Sequence, residues 1–513
     1  MARATWRRAV LTCIGLLLLA AASAALRIEG LRTWFWIDEA ISVGIAARAP
    51  AEIPAVLRVD GSPPLYYLLL HAWMGVAGST DAAVRGLSLA LGLMTIPAAF
   101  LCARAMFSER VAWVAAVLAA FNPFLGHYST EARMYTLVAL LALVAATTLA
   151  RACLTDGYLP LVGFALSGTL LLYTHNWGAF LLAGAAGAAV YHLGWRRREP
   201  KRLASVGLAL AAVAVLYLPW VPSLLHQAAH TGAPWSRRPP PHAMVSVAGF
   251  VLGGLEALAL VLLAISRPLV RAFSVQERDG VQMRFLLVLV GLTLLTAWSF
   301  SQIAPAWAGR YAAVIVGPLV VLAAVVIERG GLRGAAVLVL VLLLWIDPVA
   351  RITGTGSSFR PDRKSNVKRV ARELAPGLRE RDLVVSTQIE QVPVLYRYLR
   401  PGLTFATPLG RVGDPTVVDW TDASARLSSA DWRRTVLPLV AAVPRGGSVV
   451  LVCPWPVPDP DELRWFQLMH GWCDRLRDAF DRSPALTPRV GPVPPVAGPR
   501  RGTSAYAYLY RRT

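Results

Sequence analysis

The chain has 513 residues, of which 56% are hydrophobic and only 16% charged, against roughly 25% charged in soluble domains. This composition excludes an ordinary soluble protein and points to a membrane one. The formal net charge of +21 would suggest nucleic acid in a soluble chain, but the arginines cluster in short loops between apolar runs, where Lys and Arg mark the cytoplasmic side of a bilayer.

Arg3, Arg7 and Arg8 precede an apolar run over 9–26. A basic flank before such a run fits a signal peptide as well as a first span; with many spans to follow, it reads as an uncleaved span with its N-terminus inside. Next comes Trp34-Phe-Trp-Ile-Asp-Glu-Ala40, two adjacent acids among aromatic residues. The segment 63–78 (PPLYYLLLHAWMGVAG) then decides the topology. It is shorter than the roughly 20 residues of a crossing helix. If it crossed, Arg196, Arg197, Arg198, Lys201 and Arg202 would fall outside, against the positive-inside rule. As an interfacial helix it lets ten later spans run over 85–105, 110–127, 134–151, 159–174, 177–194, 203–222, 244–266, 284–300, 311–327 and 334–349. With the first span this makes eleven, and the basic loops all lie inside. The 27–84 loop, 127–133, 174–177, 223–243 and 301–311 then share the outer side with the C-terminal part. The 223–243 loop is too rich in Pro and polar residues for a fixed element, which leaves a mobile lid or a linker.

Beyond residue 350 the composition turns soluble, so the chain divides into a membrane domain over 1–350 and a domain over 351–513. Short apolar runs at 382–387 and 448–453 alternate with helical spacing at 364–375, 390–399, 426–441 and 461–481, the pattern of a small α/β domain with a partly parallel sheet. The tail over 484–502 reads as irregular and 505–510 as a last strand. Cys13, Cys102 and Cys153 fall in or beside apolar segments and read as small hydrophobes; Cys453 and Cys473 could pair if their domain is extracytoplasmic.

Several residues carry potential chemistry. Asp38 and Glu39 follow a span and are flanked by aromatic side chains; a partly desolvated carboxylate gains basicity, as a general base needs, whereas the bland reading is a solvated pair. Asp60-Gly-Ser-Pro-Pro-Leu-Tyr-Tyr67 is either a turn into the interfacial helix or a second acid near the first pair. In His127-Tyr-Ser-Thr-Glu-Ala-Arg-Met-Tyr135, Tyr128, Glu131 and Arg133 stand at the head of a span, where charges are costly unless paired or facing a cavity. Arg310-Tyr311 opens a later span; its Arg is either a phosphate ligand or an interfacial anchor. His175 lies in a polar knot, Tyr173 to Trp177, as a substrate contact or an ordinary loop histidine. A divalent metal, Mg or Mn, near the carboxylates is left open, since no ligand spacing compels one.

At Trp36-Ile-Asp-Glu-Ala40, Asp60-Gly-Ser-Pro-Pro-Leu-Tyr-Tyr67, Arg85, Tyr128-Ser-Thr-Glu-Ala-Arg-Met-Tyr135 and Gly309-Arg-Tyr311, the chain resembles the polyprenyl-phosphate-dependent membrane glycosyltransferases of the C-type fold. Within them it is most like family 39, the protein O-mannosyltransferase, aminoarabinose transferase and Rgt-like branch. The resemblance implies that Asp38 is the catalytic base and that 63–78 lies along the membrane. It also implies that Arg310 and Arg133 hold the carrier phosphate; Glu39, Glu131 and His175 are second-rank candidates for orienting substrate or Asp38. Ser62 departs from the His or Asn that many relatives have before the two prolines. The expected protein is thus an α-helical polytopic membrane enzyme of the cell envelope with a small extracytoplasmic α/β domain. It would transfer a sugar, with inversion, from a polyprenyl-phosphate-linked donor to a hydroxyl on a glycan, lipid or protein acceptor, with membrane lipids as its other partners. A multi-pass transporter or flippase, or a ligase using the same carrier, is the alternative; a transporter would place its functional charges at the bilayer midplane.

Overall fold

A computed structural model describes residues 2–155, 157–265, 278–346, 364–455, 462–495 and 503–513. Helix α1 (Ala2–Arg27) leads into the first loop, which folds as α2 (Ile37–Ala46), α3 (Ile53–Asp60) and α4 (Leu65–Ala77). Helix α4 has 13 residues, about 20 Å of helix, well short of the ~30 Å hydrocarbon core. Its buried side chains are Tyr66, Tyr67 and Leu70. The following helices are α5 (Asp81–Met106), α6 (Glu109–Phe121), α7 (Pro123–Tyr128), α8 (Tyr135–Leu154), α9 (Leu159–Leu172), α10 (Gly178–Ala189), α11 (Pro200–Tyr217) and α12 (Val221–His230). After them come α13 (Ala243–Val251), α14 (Leu255–Leu263), α15 (Arg278–Ile303), α16 (Ala313–Arg329) and α17 (Gly331–Ile346).

Among the described residues, seven helices are long and apolar enough to cross a membrane, and a bent pair makes an eighth. The expected spans over 110–127, 159–174 and 334–349 are helical but shorter, at 13, 14 and 16 residues. The expected single helix over 244–266 is instead α13 and α14, bent by 83°. Gly253 and Gly254 turn the chain there with φ of 83° and 137°. A Cβ on Gly253 would sit 2.5 Å from Trp345 Nε1. The carbonyls freed by the break accept bonds from neighbours, Val251 from Asn122 Nδ2 and Leu252 from Trp345 Nε1, each at 2.9 Å, as a break at membrane depth requires.

The 223–243 stretch also differs from expectation. Its start is α12, and its proline-rich part is held rather than loose: the Pro239 carbonyl accepts from Gln302 Nε2 at 2.8 Å and Trp298 Nε1 at 3.1 Å. Ser236 Oγ accepts from the Trp307 N–H at 2.9 Å. Prolines lack N–H groups but keep strong carbonyl acceptors, and long polar side chains of α15 use them.

The boundary expected between 350 and 351 lies outside the described residues. The C-terminal domain is a six-stranded mixed sheet in the order β3-β2-β1-β4-β6-β5. Its strands are β1 (Leu383–Ser386), β2 (Thr404–Thr407), β3 (Gly410–Arg411), β4 (Ser448–Pro454), β5 (Leu486–Val493) and β6 (Ala505–Arg512). Strands β2, β1 and β4 are parallel and the rest antiparallel. Strand β5 corrects the expectation of an irregular tail: its prolines are tolerated because it pairs on one side only, at the sheet edge. Helices α18 (Val367–Leu374), α19 (Val392–Tyr398) and α20 (Arg464–Asp481) cover the sheet. Cys453 and Cys473 are disulfide-bonded, with Cα atoms 5.5 Å apart, tying β4 to α20.

Strand alternation divides the sheet between two cores. Leu383, Val385, Val449 and Leu451 pack with Leu476 and Phe480. Val384, Val450 and Val452 join Trp465 and Met469 in an apolar cluster continuous with the membrane helices. Polar contacts reinforce this docking. Tyr398 Oη accepts from the Phe35 N–H at 2.8 Å and donates to Asp81 at 2.7 Å, and Arg397 pairs with the same carboxylate at 2.8 Å. The Trp420 N–H reaches the Val59 carbonyl at 3.0 Å. The Thr416 carbonyl lies where a Cβ on Gly44 would be, 1.8 Å from it, so α2 meets the domain backbone to backbone.

Candidate active site

Helix α2 begins at the aromatic turn, with Trp36 extended ahead of it and Asp38 and Glu39 in its first turn, where acids complement the helix dipole. The neighbouring carboxylates then diverge. Glu39 points into the wall, 1% exposed, and Arg85 grips it with Nε to Oε1 at 2.6 Å and Nη2 to Oε2 at 2.7 Å. The Ala132 N–H adds a bond to Oε1 at 2.9 Å. Arg85 also donates to the carbonyls of Leu31, Thr33 and Trp34. Glu39, expected among the substrate contacts, is thereby occupied by protein; it orients the turn on which Asp38 sits.

Asp38 keeps 17% of its side chain exposed. Arg133 Nε lies 3.8 Å from Asp38 Oδ2, and its Nη1 donates to Ser42 Oγ and Tyr67 Oη at 3.2 Å each. Burial opposes the charge of Arg133, yet Tyr67, Asp38, Tyr135 and Asp60 outweigh it and hold its pKa well above the ordinary value. Asp60, next to Ser62, is pushed up to about 6, chiefly by burial, with Asp38 adding to the rise and Arg133 and the Ser62 hydrogen bond working against it.

The other expected residues converge on the same place. Tyr128 lies against Tyr135 at 4.8 Å, His175 against Tyr311 at 4.9 Å, and Tyr135 against His175 at 6.1 Å between ring centroids. His175 Nδ1 accepts from the Trp177 N–H at 3.0 Å. Its pKa falls to about 3, first through burial and then through Arg133 and Arg310, so it is neutral and keeps Nε2–H as a donor. Arg310 stands over the Trp36 ring at 5.9 Å and beside Tyr311 at 5.3 Å. Glu131 is buried, paired with His127 at 3.0 Å and with Lys364. Arg133 Nε, Arg310 Nε, Trp36 Nε1 and Tyr135 Oη are buried with no hydrogen-bond partner among the described residues. Such atoms cost free energy unless something completes them.

Among the described residues no group of three or more His, Cys, Asp or Glu side chains is arranged to hold a metal ion. Glu39 is engaged by Arg85 and Glu131 by Lys364, so these two carboxylates are occupied by cationic side chains.

Sequence reasoning missed the role of Arg85, whose partner is 46 positions away, and missed Lys364 and Glu390 entirely. Glu390 is buried, its carboxyl raised by that burial, within electrostatic range of Asp38. Lys364 left one trace: the chain has only three lysines, and two of them, Lys364 and Lys368, stand four residues apart at this interface.

Residues 61–220 match the family model described as dolichyl-phosphate-mannose-protein mannosyltransferase. No curated protein matches the sequence. Among solved structures, the chain is similar to ArnT from Cupriavidus metallidurans in the apo state, with a TM-score of 0.59 at 15% identity, covering 97% of this chain and 98% of that one. ArnT bound to undecaprenyl phosphate gives a TM-score of 0.61 at 15% identity, with 96% and 97% covered. The chain has the C-type glycosyltransferase fold. AglB from Archaeoglobus fulgidus, solved with an inhibitory peptide and a dolichol-phosphate, shares it at a TM-score of 0.51 and 12% identity, covering 87% of this chain and 70% of that one. Both the membrane helices and the C-terminal sheet therefore belong to the C-type architecture shared with ArnT.

Proposed function

We propose that the protein transfers a sugar from a polyprenyl-phosphate-linked donor to an acceptor hydroxyl at the outer face of the membrane. One observation carries this reading: Asp38, still partly exposed, stands beside Arg133, and both Arg133 and Arg310, from separate elements, have buried Nε groups without hydrogen-bond partners among the described residues. That pairs a base with an anion-binding wall. Structures of this fold with undecaprenyl phosphate or dolichol-phosphate bound supply the class of donor. Asp38 takes the proton from the acceptor hydroxyl, whose oxygen forms a bond to the anomeric carbon as the bond from that carbon to the phosphate oxygen breaks. Attack comes from the face opposite the phosphate, so the anomeric configuration inverts. The leaving phosphate stays on Arg310 and Arg133, preorganised charges that act where negative charge develops, while His175 donates through Nε2. A transporter reading fits less well, because these charges crowd at helix ends rather than at a midplane.

The purified protein in detergent with a panel of polyprenyl-phosphate sugars is the direct assay; transfer with inverted anomeric configuration is expected, and a retained configuration overturns the mechanism. Comparing envelope glycans with and without the gene then identifies the acceptor. The orientation belongs to the same proposal: N-terminus inside, C-terminal domain outside. Alkaline phosphatase fused at the C-terminus is expected to be active, and an inactive fusion beside an active cytoplasmic reporter would reverse the parity.

Asp60 gives a pH dependence. It competes with the donor phosphate for Arg133 only when ionised, so raising the pH through about 6 strengthens the competitor. The donor KM is expected to rise by roughly 3- to 10-fold between pH 5 and 7, the scale of up to one pKa unit of interaction. Asp60→Asn should hold the low value across the range. A wild-type KM that falls over this interval reverses the sign and removes Asp60 from the argument.

A further inference from the structure

Lys364 enters the site from the C-terminal domain. Its backbone is pinned there: the Lys364 carbonyl accepts from the Thr503 N–H at 2.8 Å. Two residues on, Asn366 exchanges a pair of hydrogen bonds with the Ala505 backbone, each 2.8 Å. The segment is thus tied to the start of β6, and only the side chain reaches toward the membrane helices. Lys364 Nζ pairs with buried Glu131 and lies 4.3 Å from the centre of the Trp36 ring and 5.6 Å from that of Tyr128. Arg310 faces the same Trp36 ring at 5.9 Å and lies within electrostatic range of Tyr128.

Two cations from opposite domains therefore gather at one indole: Lys364, paired with Glu131, and Arg310, which lies within electrostatic range of Asp38. Arg310 Nε and Trp36 Nε1 are each buried without hydrogen-bond partners among the described residues. An anion entering beside the Trp36 ring would complete the Arg310 Nε group and meet the Lys364 ammonium from the other domain. From this geometry we infer that Lys364 is a third ligand of the donor phosphate, completing with Arg310 and Arg133 a site that exists only when the C-terminal domain is docked. The inference rests on the proposed use of a polyprenyl-phosphate donor and adds which residue, and which domain, closes the phosphate site. A phosphate monoester, left with two negative charges after the sugar departs, is held more strongly by three cations than a phosphodiester is.

The competing role for Lys364 is to neutralise buried Glu131 alone, and the test separates the two. The purified full-length protein is titrated with undecaprenyl phosphate, with undecaprenol, which has the same chain but no phosphate, and with phosphatidylglycerol. Wild type, Glu131→Gln, Lys364→Arg and the double variant Lys364→Met/Glu131→Gln are compared. The double variant carries no unpaired buried carboxylate, so a folding defect from that cause is removed, and a melting curve checks it. Wild type, Glu131→Gln and Lys364→Arg are expected to keep a preference for the phosphate over the alcohol. The double variant should lose about 10- to 100-fold of that preference, the scale of one hydrogen bond to a charged group. A double variant that keeps the preference of Glu131→Gln overturns the inference, and so does phosphatidylglycerol competing as well as undecaprenyl phosphate, which would make this a bilayer-headgroup site. Wild type with no preference for phosphate over alcohol would instead sink the proposed function itself.

Discussion

Asp38→Asn is expected to lower the turnover of sugar transfer by about 100- to 10,000-fold, the range a positioned general base supplies. The substitution keeps the size and shape of the side chain while removing its capacity to accept a proton. Because Asp38 is partly exposed and, among the described residues, no hydrogen bond of its carboxylate holds the loop, the fold should be unaffected, whereas Glu39 beside it bears the structural load. Arg133 loses an ionic partner, so binding of the carrier phosphate should be unchanged or tighter. The prediction is therefore a fall in kcat with an unchanged or lower donor KM and an unaltered melting temperature. Near-normal turnover would remove Asp38 from the chemistry. A fall in turnover matched by a fall in melting temperature would mean that the acid serves α2 as an N-terminal charge.

The opposite pattern is expected for Arg85. Its guanidinium is fully buried and makes bonds to Glu39 and to the carbonyls of Leu31, Thr33 and Trp34. Arg85→Met strands the Glu39 charge in a low-dielectric wall, which costs about 3–5 kcal/mol for a broken buried pair. The yield of folded protein and its melting temperature in detergent should both drop sharply. Adding Glu39→Gln should restore part of the loss, since removing both charges of a buried pair costs less than removing one. If the double variant is no better than Arg85→Met, the carbonyl contacts rather than the ion pair carry the stability.

The sequence made the multi-pass architecture legible for a physical reason: lipid forces apolar lengths and basic flanks on every crossing, so the stretches between spans could be sorted by length and charge. Asp38, Asp60, Tyr128, Arg133, His175 and Arg310 then fell on one side, and the fold brings them together. What sequence could not reveal was pairing across long separations. Nothing local distinguishes Asp38 from Glu39; the difference is made by Arg85 on α5 and the Ala132 N–H, both remote in the chain. Lys364 was hidden likewise, because its part depends on where β6 anchors the segment. The bend at Gly253 and Gly254 escaped because hydropathy measures apolar length and is blind to direction. Strand β5 escaped because its prolines mask an edge strand whose one partner lies beyond it in the chain.

The inner face of the C-terminal sheet ties the stability of the two domains together. Val384, Val450, Val452, Trp465 and Met469 have no boundary of their own; they share one apolar interior with the membrane helices. Expressed by itself, this half would present a sticky face to solvent. A chimera that exchanged it between relatives would mismatch two halves of a single interior unless the first loop travelled with it. The membrane helices and the C-terminal sheet therefore depend on one interior for their stability.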